Sequence, residues 1–265
     1  MIDSGRTQAG RATRGRDVSI RASGDTEKLE GRLNVSIEGL TSLLFRIIVL
    51  LAMLSLSLGL LDALVPTFPG GGWLHQAFDL DAEGNIPTFF SVGLLLLAGT
   101  LSLLIARAGV RLRPALFRAG SWHLLGVILI LMGSDELLMF HETLGGFLDR
   151  PFQTAGVYAW VLPGTLAVLW FAWSFSQFFK SLPGVVRRYL VLSFTLFVGG
   201  AVGLEYAEAV NYKVTGELGL SGLLLTNSQE ALEMLGVAVF LKGLLIYIRD
   251  FLNYPRTQLA LLFVD

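Results

Sequence analysis

Six apolar runs recur along this chain, each near the ~20 residues a helix needs to cross a bilayer. They are Leu40–Leu61, Ile86–Ala106, Ser121–Glu142, Val157–Phe179, Tyr189–Val210 and Gln229–Ile248. Hydrocarbon offers no partner to a backbone N–H or C=O, so a run that crosses it must satisfy those groups within itself, as a helix does. The expected fold is therefore all-α: a polytopic membrane helical bundle with six transmembrane helices. Composition agrees. Hydrophobic residues make up 53% of the 265 and mean hydropathy is +0.64, too apolar for a soluble domain of this size. The absence of cysteine excludes disulfides, thiolate metal ligands and a cysteine nucleophile. No cleavable leader is expected, because the first apolar run comes late and no small-x-small site follows it.

Orientation follows from the segregation of charge. Lys+Arg 20 against Asp+Glu 21 nearly cancel, yet the basic residues collect in alternate loops. Arg107, Arg111, Arg113 and Arg118 crowd the second-to-third loop, and Lys180, Arg187 and Arg188 the fourth-to-fifth. Further basic residues fill both ends of the chain. The positive-inside rule makes these segments, and both termini, cytoplasmic. Residues 1–39 then read as a disordered basic tail, 40–250 as the transmembrane domain and 251–265 as a short cytoplasmic tail. Acids interleaved in the amino tail (Asp17, Asp25, Glu27, Glu30) argue against nucleic-acid binding. The expected partners are the lipid bilayer and other membrane subunits or further copies of this chain. The expected location is a bacterial cytoplasmic (inner) membrane.

A carboxylate at membrane depth costs roughly 2.5–3.5 kcal/mol, so such residues face protein or water and mark functional sites. The third run carries Asp135, Glu136, His141 and Glu142, the fifth Glu205 and Glu208, and the sixth Glu230 and Glu233. With alternate crossing directions, all of them fall in the outer half of the membrane. Spacings of three put Glu205 with Glu208, and Glu230 with Glu233, on shared helix faces. A deep layer (Asp135, Glu136, Glu205, Glu233) is expected beneath a shallower one (His141, Glu142, Glu208, Glu230). Asp62, His75, Asn211 and Tyr212 are accessory candidates at the same level. Acids that merely mark the water interface are the plain alternative for the shallow layer.

Two further readings stay structural. His123, Arg46 and Lys242 lie toward the inner ends of their runs, where an interfacial histidine and snorkelling cations are expected. Asp79-x-Asp81-x-Glu83-Gly84 begins like a calcium loop, but position twelve is Phe90 and Pro87 intrudes.

Glu83-Gly84-Asn85-Ile86-Pro87-Thr88 leads into the second run. Ser134-Asp135-Glu136, then His141-Glu142 after four intervening residues, ends the third. In these motifs the chain resembles a group of uncharacterised bacterial multi-pass membrane proteins, which implies the membrane class and no particular chemistry.

The acids themselves point to a cation. Crowded carboxylates repel, and a divalent metal or a proton relieves them. Oxygen ligands with an imidazole suit Fe, Mn or Zn, and all-oxygen sites suit Ca. The first functional expectation is a carboxylate/histidine metal site open to the outer face, which extends to a membrane metalloenzyme. The second is a proton- or cation-coupled transporter or channel using the same acids, and the third a non-catalytic subunit of a membrane complex.

Overall fold

A computed structural model describes residues 33–65, 71–112, 118–140, 143, 161–216, 219–252 and 261–264. The helices are α1 (Ile37–Leu64), α2 (Gly71–Phe78), α3 (Ile86–Leu112), α4 (Ala119–Leu138), α5 (Val161–Ser181), α6 (Gly184–Val198), α7 (Glu205–Thr215) and α8 (Gly219–Phe251). A π-helical segment, Gly199–Leu204, joins α6 to α7. Two short strands, β1 (Leu33–Ser36) and β2 (Leu261–Val264), pair in parallel with Leu33 opposite Leu261.

Five described segments are long and apolar enough to cross a membrane: Ile37–Leu64, Ile86–Gly109, Ala119–Leu138, Gly184–Thr215 and Gly219–Phe251. The chain is thus a multi-pass membrane protein in contact with the bilayer. The fourth expected span corresponds to α5, which is helical for 21 residues but is not one of these five. Its second half carries Ser174, Ser176, Gln177 and Lys180, which lowers its hydropathy. The helices' outer surfaces remain apolar, with Leu50, Met53, Leu131, Leu169 and Trp173 exposed, as lipid-facing residues are.

α8 is the central element. It is 33 residues long, about 50 Å at 1.5 Å per residue, and nearly all of Met234–Ile246 is buried. Small residues let its neighbours approach, as in many membrane bundles. A Cβ on Gly236 would lie 2.9 Å from the Phe197 nitrogen of α6, and one on Gly243 would lie 2.6 Å from Leu190 Cδ1. α3 and α4 use the same device reciprocally: a Cβ on Gly99 would meet the Gly126 carbonyl at 2.9 Å, and one on Gly126 the Gly99 carbonyl at 2.8 Å. Toward the end where the strands lie, Trp122 is 1% exposed. Its ring centroid is 5.0 Å from that of Phe178, edge to face, and 5.0 Å from that of Tyr247.

The helices differ from the apolar runs at three places that matter for the acids. α4 ends at Leu138, and Met139 takes a left-handed conformation (φ 53). The helix that carries Asp135 therefore stops short of Glu142, which lies outside the described residues. The fifth run passes through the π segment just before Glu205; the segment re-aims the residues after it without interrupting the helix. The sixth helix begins ten residues earlier than its apolar run, so Glu230 and Glu233 lie near the middle of α8 rather than at its start.

Candidate functional site

The acids of three helices meet around the middle of α8. The negative charges of Glu136 (α4) and Glu205 (α7) bear on Glu233, and those of Glu233, Glu136, Asp81 and Glu205 bear on Glu230. Glu208 is 8% exposed and lies beside Thr226, with Asp81 and Glu205 as its charged neighbours. Asp135 stands beside Glu136 near the end of α4, half-buried and engaged in interactions of its own. His141 and Glu142 lie outside the described residues.

Gln229 holds the cluster together. Its Nε2 donates to Glu205 Oε2 at 2.8 Å, and its side chain also hydrogen-bonds Glu233 one turn along α8. The side chain is 8% exposed, yet its Oε1 has no partner. The amide must present N–H toward a carboxylate, which leaves the oxygen facing away as a bare acceptor. Asn227, 6% exposed, repeats the pattern: Nδ2 donates to the Leu223 carbonyl at 2.9 Å and Oδ1 is unpartnered.

The π segment sets the spacing between α7 and α8. A Cβ on Gly200 would lie 2.8 Å from the Gln229 carbonyl and 2.9 Å from Glu233 Cγ. Glycine therefore lets the π segment press its backbone onto α8 at the acids. Isolated π turns occur often at functional sites.

The Glu83–Thr88 motif organises the approach. Asn85 is buried and donates from Nδ2 to the carbonyls of Asp79 (2.6 Å) and Gln76 (3.0 Å), and its Oδ1 accepts from the Thr88 N–H (3.1 Å). The Leu80 N–H bonds Oγ of the fully buried Ser55 on α1 at 3.0 Å. These bonds pin the loop and bring the charge of Asp81 to bear on Glu208 and Glu230. Asp79 is engaged within this region: its Oδ1 accepts from the Asp81 N–H (3.2 Å) and its Oδ2 lies 3.6 Å from His75 Nε2.

The accessory candidates divide. Asp62 and His75 pair with each other, with Nδ1 3.8 Å from Oδ2. Asn211 accepts from Ser221 Oγ at 3.1 Å, tying α7 to α8. Tyr212 is exposed. Among the described residues, no group of three or more His, Cys, Asp or Glu side chains is arranged to hold a metal ion as they stand. Gln229, Thr226 and Asp81 were not foreseen as part of the site. The signal for the first was its spacing, four residues before Glu233.

A polytopic helical membrane protein with acids gathered inside the bundle is the class these features define. The chain belongs to the family described as Domain of unknown function (DUF8692), whose family model matches residues 43–248. Neither the curated proteins nor the solved structures contain a match.

Proposed function

We propose that this membrane protein binds a cation at the cluster of Glu136, Glu205, Glu230 and Glu233, reached from the side of the Asp79–Asn85 loop. The observation that carries this reading is Gln229: a buried amide whose donor face serves two carboxylates and whose Oε1 is unpartnered. Among the described residues, the charged groups bearing on Glu230 and Glu233 are all carboxylates. An acceptor-rich, low-dielectric pocket of this kind is stabilised by a positive charge. A cation would draw the four carboxylates inward from their present spread, and Gln229 Oε1 would join them once the amide turns over and releases Glu205. The described donors are all oxygens, which suits Ca, Mg or Mn. Fe or Zn chemistry, and with it a metalloenzyme, would call on His141 and Glu142.

Six crossings with both ends cytoplasmic, in a bacterial inner membrane, complete the reading. The parallel pairing of β1 with β2 supports an even number of crossings, because β1 runs directly into α1 and β2 follows α8. Counting α5 with the five long apolar segments gives six.

A proton- or cation-coupled carrier is the second reading. The π segment against Glu233 favours it, since single π turns within a helix recur at functional sites. Against it, α8 is apolar from Met234 to Leu241 and almost wholly buried there, so inward release needs a rearrangement of the bundle.

The deciding experiment is elemental analysis of purified protein with thermal melting in the presence and absence of chelator. Stoichiometric divalent metal and a chelator-induced fall in Tm are expected, both removed by Glu233→Gln. No metal and an unchanged Tm at pH 7 would overturn the cation reading. Metal-independent proton flux in proteoliposomes, lost in Glu233→Gln, would select the carrier.

A further inference from the structure

At the end of the bundle where α1 begins and α8 ends, an open groove of about 570 Å³ runs between these two helices. Its polar end carries Glu38, Arg46 and Lys242, and its other end is formed by Val49, Leu50 and Met53. The latter three are 57%, 65% and 58% exposed, so they face lipid. We propose that this groove is a binding site for one anionic phospholipid, with the phosphate on Arg46 and Lys242 and an acyl chain along Val49, Leu50 and Met53.

Charge complementarity carries the assignment. Lys242 Nζ makes a 2.8 Å ion pair with Glu38 Oε2 and sits 5.3 Å from the centroid of the Tyr189 ring. That pairing consumes the only acid lining the groove. Arg46 is exposed on the same groove, and among the described residues it has no acidic partner. The lining is left with one net positive charge beside lipid-facing apolar surface. Both cations are deep for water to compensate them. Arg46 is nine residues into α1 and Lys242 nine residues from the end of α8, about 13 Å along each helix. A guanidinium at that depth snorkels toward a headgroup, and a phosphate accepts its planar pair of N–H donors. A neutral lipid fills the apolar half equally well but leaves the excess charge unmatched.

The test uses the full-length protein in detergent, titrated with phosphatidylglycerol, phosphatidylcholine or inorganic phosphate and read by Tm and by native mass spectrometry. Phosphatidylglycerol should bind with one-to-one saturation and raise Tm, with phosphatidylcholine and free phosphate doing neither. Arg46→Gln should weaken phosphatidylglycerol roughly fivefold, the loss expected for one basic side chain at an anionic membrane surface. Arg188→Gln, an exposed position away from the groove, should leave binding unchanged. Arg46→Gln replaces an exposed side chain and keeps the fold, which its unliganded Tm checks. Equal binding of phosphatidylcholine, an equal response to free phosphate, or full retention of binding in Arg46→Gln would each overturn the proposal.

Discussion

Gln229 on α8 donates from Nε2 to Glu205 Oε2 on α7 at 2.8 Å while its own Oε1, buried in the same place, accepts nothing. The bond joins α7 to α8 across the point where both carry acids. Replacing Gln229 by Leu preserves bulk but strips Glu205 of this donor. A half-buried carboxylate losing a hydrogen bond costs about 1–3 kcal/mol. The expected result is a lower Tm for the purified protein. A Tm equal to that of the parent would show that Gln229 does not support the cluster.

The Gly200 contact makes a sharp pair of variants. Gly200→Ala would push a methyl to within 2.8 Å of the Gln229 carbonyl, whereas a Cβ on Gly203 meets nothing within 4 Å. Overpacking of this kind costs typically 1–3 kcal/mol. Gly200→Ala should therefore lower Tm and weaken cation binding, and Gly203→Ala should do neither. Matching behaviour of the two variants would rule out close helix approach as the role of Gly200.

Loop anchoring can be measured separately. Asn85→Ala deletes donors to the carbonyls of Asp79 and Gln76 and the acceptor for the Thr88 N–H. Leaving such groups without partners costs about 1–3 kcal/mol. Amide hydrogen exchange across residues 79–88 should accelerate while exchange in α8 stays as it was. If the loop stays as protected as in the parent, Asn85 is not what pins it.

Topology is tested by single cysteines, which the cysteine-free sequence makes simple. Val185→Cys, at the α5–α6 connection, should label only from the cytoplasmic side, and Gly72→Cys, in α2, only from outside. Both positions are exposed. Labelling of both from one side would remove the six-span arrangement.

Much of this molecule was legible from residues alone. Lipid excludes unpaired backbone, so apolar runs of this length had to be helices, and five of the six expected spans meet the structural criterion for crossing. Carboxylates are so costly there that Glu205, Glu208, Glu230 and Glu233 were singled out by their positions alone. Lys242 and Arg46 were likewise read as snorkelling, but not that Lys242 reaches Glu38, 204 positions away in the chain.

Tertiary structure decided what the acids meet. Glu136 bears on Glu233 because of how α4 rotates against its neighbours, which depends on contacts such as Gly99 with Gly126 and not on local periodicity. The π turn at Gly199–Leu204 shifts every later residue of the span around its axis, and hydropathy cannot register a rotation. α8 starts at Gly219, before its apolar run, because its polar turns find partners without lipid: Thr226 and Asn227 donate back to the Gly222 and Leu223 carbonyls of their own helix, and Gln229 reaches Glu205 on α7. Hydropathy measures the cost of meeting hydrocarbon, so it determined which segments cross the membrane. Which side chains meet inside is set by helix rotation and close backbone approach, and those exist only once the helices have packed.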